Sequence, residues 1–439
     1  MRWTAWRPER SIQELYADDP ERADAIAFGR RGALHGPAAA TLGAAVRGRV
    51  PFAAAMPAGL LPAALARPIA GPGLLEMPGK APLVVLGGRP LVAETPEHLL
   101  DDEVTPTERV FIRNNGLLPE PPAGDGKAWM LRVDGEVNTP LQLTVGELES
   151  RFPVVTLALQ MECGGNGRAY FMPEARGNQW TNGAISNARW TGVRLRDVLQ
   201  AAGLKPSAVH TGHYGADPHL SGATDRPSIS RGVPIAKAME EHTLIATRMN
   251  GQTIPLIHGA PLRLIVPGWP GSVSAKWLTR IWVRDCEHDG PGMGGTAYRV
   301  PVRSIIPGSH DSGVSFRNLE SMPVRSILTN VHHGTRLPAG TRALDIRGFA
   351  WAGEKQVRAV DASADFGATW SSMEVKAPAN KYAWQRWSGR MALPGPGYYE
   401  VWYRATDSDG AMQTLGAGNW NPQGYGGNPI TRIAVLVEG

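Results

Sequence analysis

Apolar and polar residues alternate along "AWMLRVDGEV", residues 128–137, which predicts a strand ending in an Asp134-Gly135 turn. A few residues on, "TVGELESRF" places Thr144 three residues ahead of Glu147, the spacing of a capping box, so a short helix is expected to start there. The run Val154 to Leu159 is apolar with one threonine and predicts a buried strand. In "TGVRLRDVLQAAGL" valine and leucine recur at helical spacing before a glycine stop, the pattern of an amphipathic helix, and "VPIAKAMEEH" predicts a shorter one. "APLRLIVPG" and "AKWLTRIWVRD" predict two core strands, whereas residues 80–120 show only extended segments and proline-rich loops. Strands and helices do not alternate regularly, so the expected class is α+β.

Beyond Pro323 the pattern changes. "RALDIRGFAWAG", "KQVRAVDASADFGATW", "YAWQRWSGRMALP", "GYYEVWYRATDSDG" and "TRIAVLVEG" are short alternating segments separated by Gly, Asp and Pro turns, as in a β-sandwich. Neither cysteine falls in this region, so no core disulfide can pin it, and Trp351 and Trp370 are expected to fill the space between its sheets. The chain then divides into a leader and extension over residues 1–75, a mixed domain over 76–320 and an immunoglobulin-like sandwich over 321–439.

Composition narrows the chemistry. The 439 residues include 52 glycines and 37 prolines, a share that favours long connections and β-structure over a helical bundle. The net charge of +5 suits an anionic substrate or an acidic partner. Nucleic acid is not expected, because the arginines are spread along the chain and no basic run is interleaved with aromatics. Residues 28–46, "FGRRGALHGPAAATLGAAV", place an arginine pair ahead of an alanine-rich stretch, and small residues follow in "PAALARPIA". That order resembles a twin-arginine export leader and points to the periplasm; an alanine-rich surface helix is the other reading.

Several familiar motifs fail. "DGPGMGG" holds a GxGxxG match at Gly290, Gly292 and Gly295, but no helix follows to receive a pyrophosphate, so a loop is expected. There is no Walker A loop, no HExxH and no GxSxG. The eleven histidines form no close ligand pair on a helix face and are expected in loops or at the surface. Two cysteines, Cys163 and Cys286, leave either one disulfide or two free thiols, and any metal held through sulfur would have one protein thiolate.

Cys163 ends an apolar run and is followed by "GGNGR", where little side-chain bulk would obstruct a large group brought up to the sulfur. Arg113 in "FIRNN", Arg168, His258 and Arg263 in "HGAPLRLIVPG", and Lys276 add the cations of an anion site. The segments "MECGGNGR", "QWTNGAISNARWTGVRLRDVL", "MNGQTIPLIHGAPLRLIVPG" and "SVSAKWLTRIWV" occur in that order and resemble the sulfite oxidase family of molybdenum enzymes. The resemblance runs from about Leu99 to the C-terminus. Within the family, "RNNGLLPE" and "VPGWPGSVSAKWLTRI" are most similar to the bacterial sulfane dehydrogenase branch, followed by periplasmic sulfite dehydrogenases.

The resemblance implies a mixed α+β molybdopterin-binding domain followed by a dimerisation sandwich. It implies that Cys163 ligates molybdenum beside the dithiolene sulfurs of molybdopterin, and that Asp217, His258, Arg263 and Lys276 contact the pterin or its phosphate. Asn115 stands where animal enzymes have a histidine. Arg113, Arg168, Trp180 and Tyr298 match the family's substrate residues, and Gln423 replaces a further family arginine. The implied activity is two-electron oxidation of sulfite or of carrier-bound sulfane sulfur, with electrons passed to a c-type cytochrome, in a homodimer or a heterotetramer with a cytochrome subunit. A molybdenum reductase acting on nitrate or a sulfoxide, and a binding module that keeps the fold without catalysis, are the other readings. Cys286 is expected to be a bystander.

Overall fold

The computed structural model describes residues 73–223, 225–309 and 313–439; the leader expected over residues 28–70 lies outside them. Its first part is built on two five-stranded sheets. One places Met130–Gly135 between Leu141–Thr144 and Leu278–Arg284, and continues through His210–Gly215 to Ser230–Pro234. Leu278–Arg284 runs parallel to Met130–Gly135, and the other pairings are antiparallel. The other sheet runs from Gln252–Thr253 through Leu244–Met249 and Ile185–Arg194 to Val154–Glu162, with Arg263–Ile265 also on Leu244–Met249. Leu131, Val133, Leu143, Val193, Val198, Ile245, Leu264 and Ile281 share one buried core between these sheets and the helix Leu195–Ala202. A small antiparallel sheet of Val84–Gly88, Leu91–Glu94 and Ile112–Arg113 lies upstream and carries Arg113.

The alternating strand and the capped helix occur where the sequence predicts them. Thr144 Oγ1 accepts from the Glu147 amide at 3.1 Å, and the Glu147 carboxylate accepts from the Thr144 amide at 2.7 Å, so two orphan helix-end donors of Val145–Arg151 are satisfied. Two predictions need correction, and the expected short helix is present but shorter than its segment. The apolar run from Val154 extends to Glu162 as a strand, and its buried half is the later one, Leu159–Glu162; Val154 is exposed because this strand forms the edge of its sheet. The helix expected from Thr191 starts only at Leu195, because Thr191–Arg194 completes the ladder with Leu244–Met249, and a side chain at Gly192 would strike the Ile245 carbonyl. "VPIAKAMEEH" is a strand end followed by a single turn, Ile235–Ala238.

Arg299–Pro301 and Phe316–Asn318 pair as a two-stranded sheet, and the strands from Arg325 onwards form an eight-stranded ladder that folds over itself at Ser371–Val375, which pairs with Val357–Ser363 on one side and Gln385–Ala392 on the other. Leu328, Ile346, Val360, Val401 and Ile433 from the two halves meet in one core, as a sandwich requires. The tryptophan between the halves is Trp387, not the two expected. Trp351 lies in a separate cluster with Ile185 and Trp384, and Trp370 is half-buried under Arg404, whose guanidinium carbon is 3.9 Å from the ring. Four histidines, His210, His213, His258 and His288, are buried rather than superficial. Among the described residues no helix is long and apolar enough to cross a membrane.

Candidate active site

Cys163 follows the buried end of the strand Val154–Glu162, where the chain turns into the loop Gly164–Gly167. Its backbone amide donates to the Ala184 carbonyl at 2.9 Å, and the Asn166 amide returns to the Cys163 carbonyl at 2.9 Å, so the loop is closed on itself under the sulfur. Burial pushes the thiol up, and Arg113 and then Arg168 pull it back. A buried neutral thiol becomes a thiolate most readily by binding a metal. Cys286 is an exposed free thiol, so no disulfide joins the two.

The thiol opens into a cleft whose empty volume, counting its solvent-open part, is about 820 Å³. Eight of the ten residues singled out in the sequence line it: Arg113, Asn115, Cys163, Asp217, His258, Arg263, Lys276 and Tyr298. These come from distant parts of the chain, and the sheet edges bring them together. Four basic side chains, Arg113, Arg231, Arg263 and Lys276, face a single lining carboxylate, Asp217. Arg231 and Arg263 are buried and the other two half-buried, an excess of cationic groups that is unfavourable without an anion among them.

In the cleft Lys276 donates to the Ile257 carbonyl at 3.0 Å and to Asn114 Oδ1, and lies 4.5 Å from the Trp277 ring centroid. Burial drives this ammonium well below its ordinary value. Arg263 donates to the His258 carbonyl at 2.8 Å and to Met161 Sδ, while its Nε has no partner; burial lowers it to about 9. Burial, followed by Lys80, Arg263 and Lys276, also holds His258 neutral. Lys80 Nζ sits 3.1 Å from His258 Nε2. Asp217 accepts from Ser228 Oγ, and burial raises its carboxyl.

The Tyr298 hydroxyl donates to Asn115 Oδ1 at 3.2 Å, and its ring stacks on Tyr425 at 5.1 Å. Tyr298 and Trp277 both hold positive φ, 50° and 49°, in a region that bulky L-residues rarely adopt, and both line the cleft. Strain of this kind concentrates at functional sites.

Two expected site residues do not line the cleft. Trp180 is fully buried behind it, edge-on to Phe111 at 6.0 Å, and shares a cluster with Cys163. Arg168 lies behind the cysteine loop, boxed by glycines. A side chain at Gly165 or Gly424 would strike its guanidinium or its stem, and one at Gly177 would press on the guanidinium. Its Nε donates to the Gln423 carbonyl at 2.7 Å and one terminal nitrogen to the Asn178 carbonyl at 2.9 Å, leaving the other terminal nitrogen free to carry charge towards Cys163. The Gln423 side chain turns away and donates to Thr296 Oγ1 at 3.1 Å, so it braces the loop before Tyr298 rather than the anion.

Sequence reasoning missed Arg231 and Lys80. Arg231 sits in "SISRGVP", which carries no motif, and Lys80 in "PGKAP"; only the fold brings them to the site.

Residues 118–291 match the oxidoreductase molybdopterin binding domain, and residues 317–438 match the Mo-co oxidoreductase dimerisation domain. The sulfite oxidase of Gallus gallus is 34% identical over 352 residues, 76% of this chain and 74% of that protein. The chain spans about two thirds of the human and rat enzymes it also matches. The crystal structure of the sulfane dehydrogenase SoxCD from Paracoccus pantotrophus matches with a TM-score of 0.64 and 25% identity, covering 87% of this chain and 93% of that one. An NADH nitrate reductase of Oryza sativa subsp. japonica is 28% identical over 394 residues, 83% of this chain and 41% of its own.

Proposed function

For a chain that belongs to the sulfite oxidase family of molybdopterin-dependent oxidoreductases, we propose that the activity is two-electron oxidation of sulfite or of carrier-bound sulfane sulfur. A c-type cytochrome accepts the electrons in the periplasm, and residues 321–439 pair two copies. With sulfite the balance is sulfite and water giving sulfate, two protons and two electrons, which leave singly to two carriers.

The side chains fit the family's cofactor. A buried thiol lines the cleft together with a guanidinium whose Nε is orphaned, an ammonium and a neutral imidazole, where a phosphate would relieve their cost. When bound, the molybdenum cofactor supplies the two-electron redox chemistry. Cys163 would hold the metal, and Asp217, His258, Arg263, Lys276 and Asn115 would hold the pterin and its phosphate. Arg113 and Arg168 set a positive potential around the sulfur before any anion arrives, so charge is stabilised without reorganisation. Tyr298 offers a hydroxyl, and Trp180 supports the wall that carries Phe111.

The observation that carries this reading is the cationic excess in the cleft that the buried thiol of Cys163 lines. The test is cytochrome c reduction by the holoenzyme with sulfite, thiosulfate and a thiol-bound sulfane, comparing wild type with Cys163→Ser. Turnover is expected to fall by more than about 100-fold, the most that losing an outer partner of a metal ligand costs. Equal rates in the two proteins would overturn the role of the thiol. The nitrate reductase relationship supports one rival reading, reduction of nitrate or a sulfoxide. Reductant-driven turnover of those substrates, with none of sulfite, would select it. Well-folded protein that carries no molybdenum would favour a binding module.

A further inference from the structure

Arg231 is the cation in the cleft that neither the family motifs nor the proposed cofactor contacts use. It is 2% exposed on the strand Ser230–Pro234, opposite His213 of the neighbouring strand. Among the described residues its Nε has no partner, and its one hydrogen bond is a long 3.4 Å contact to Ser272 Oγ. Among the described residues no carboxylate acts on it: the groups around it are the Tyr298 and Tyr425 hydroxyls and Arg299, and burial lowers its guanidinium to about 10. The histidines His210, His213 and His288 on the adjoining strand and loop are themselves kept low, chiefly by burial, and offer no negative charge. A guanidinium held this way costs stability unless an anion meets it.

Its position says which anion. The Arg231 guanidinium carbon lies 4.6 Å from the Tyr298 ring centroid, Tyr298 stacks on Tyr425 at 5.1 Å, and the Arg168 guanidinium lies 5.2 Å from the Tyr425 ring. Two arginines are thus tied through two stacked tyrosines, and of these four side chains Arg231 and Tyr298 line the cleft. The glycine loop 290–295 approaches it, with a side chain at Gly292 reaching within 3.5 Å of its Cγ.

We propose that Arg231 is a specificity-determining residue that contacts the oxyanion of the substrate, supplying the positive charge that Gln423 no longer provides. This rests on the reading that the cleft takes an anionic sulfur substrate. A second guanidinium suits a substrate with several anionic oxygens, which it can grip through two parallel hydrogen bonds. Free sulfite and sulfane sulfur carried on a protein thiol differ in that respect, so Arg231 favours the free oxyanion.

The test uses the holoenzyme with Arg231→Gln, Arg231→Lys and Arg231→Met. Molybdenum and released pterin are measured per chain, sulfate binding is measured by calorimetry, and sulfite kinetics are measured with cytochrome c. Arg231→Gln is expected to keep molybdenum and pterin, to raise KM for sulfite roughly 30-fold with a smaller change in kcat, and to weaken sulfate binding by a similar factor. Arg231→Lys, which keeps charge and volume, should fold and recover part of both. Arg231→Met should raise the melting temperature of the cofactor-free protein, because a costly buried charge is removed; a purely structural arginine would lower it. Loss of pterin with unchanged KM in the loaded fraction would make Arg231 a cofactor anchor and overturn the proposal, as would unchanged sulfate affinity in Arg231→Gln and Arg231→Lys. Sulfate binding is independent of turnover, so a wild type that binds sulfate through Arg231 but does not oxidise sulfite would sink the substrate reading alone.

Discussion

Arg325, on the first strand of the C-terminal ladder, reaches across to Glu162, the residue before the cysteine, with Nε 3.5 Å from its carboxylate, and both side chains are buried. Its other nitrogens donate to the Asn166 carbonyl at 2.9 Å, to Asn182 Oδ1 at 2.5 Å and to the Gly427 carbonyl. Glu162 also accepts from Asn166 at 2.8 Å and from Trp351 Nε1 at 2.8 Å. Burial pushes the Glu162 carboxyl up while Arg325 pulls it back, so the two charges depend on each other.

Arg325→Met therefore leaves an uncompensated buried carboxylate beside the cysteine. Denaturant unfolding is expected to show a loss of about 3–5 kcal/mol. The double variant Arg325→Met, Glu162→Gln should recover most of it; a double variant no better than the single would refute the pairing.

Removing Trp387 should cost about 3–5 kcal/mol as Trp387→Ala, because it fills the space between the two halves of the sandwich. Trp370→Ala should cost about 1 kcal/mol, the worth of its contact with Arg404 and of half-buried surface. Comparable losses in the two variants would show that the core is centred elsewhere.

The cofactor-free protein should become more stable as pH rises above neutrality. Burial lowers Lys80 from 10.5 to about 7, with Glu108 opposing. Between those values the unfolded chain holds a proton that the folded chain has released, so stability rises across that window, and the penalty is complete below about 7. Melting temperatures from pH 7 to 9 should climb in wild type and climb less in Lys80→Met. Saturating phosphate, which favours the charged ammonium, should flatten the wild-type rise.

Gly165→Ala places a methyl against the Arg168 guanidinium. A displacement of about 1 Å near reacting groups costs on the order of 100-fold in rate, so kcat/KM for sulfite should drop by that order while molybdenum content holds. Unchanged kinetics would mean that the arginine has room to move.

The local code was legible wherever a short-range interaction decides. Thr144 and Glu147 cap one another, Gly203 stops its helix in a left-handed conformation, and the cysteine loop is a loop. What escaped depends on distant partners. Thr191–Arg194 has a helical pattern but is claimed by the ladder with Leu244–Met249, and alternation alone could not tell Trp351 and Trp370 from Trp387. Most of the site could be listed because its residues sit in ordered motifs. Arg231 carries no such signature, and its role emerges only where it meets Tyr298.

Gln423 and Gly424, near the end of the chain, form part of the box around Arg168. Anion preference is therefore a shared property of both halves of the polypeptide. A chimera carrying a relative's last hundred or so residues should inherit part of that relative's selectivity, although the grafted portion contributes no sulfur ligand.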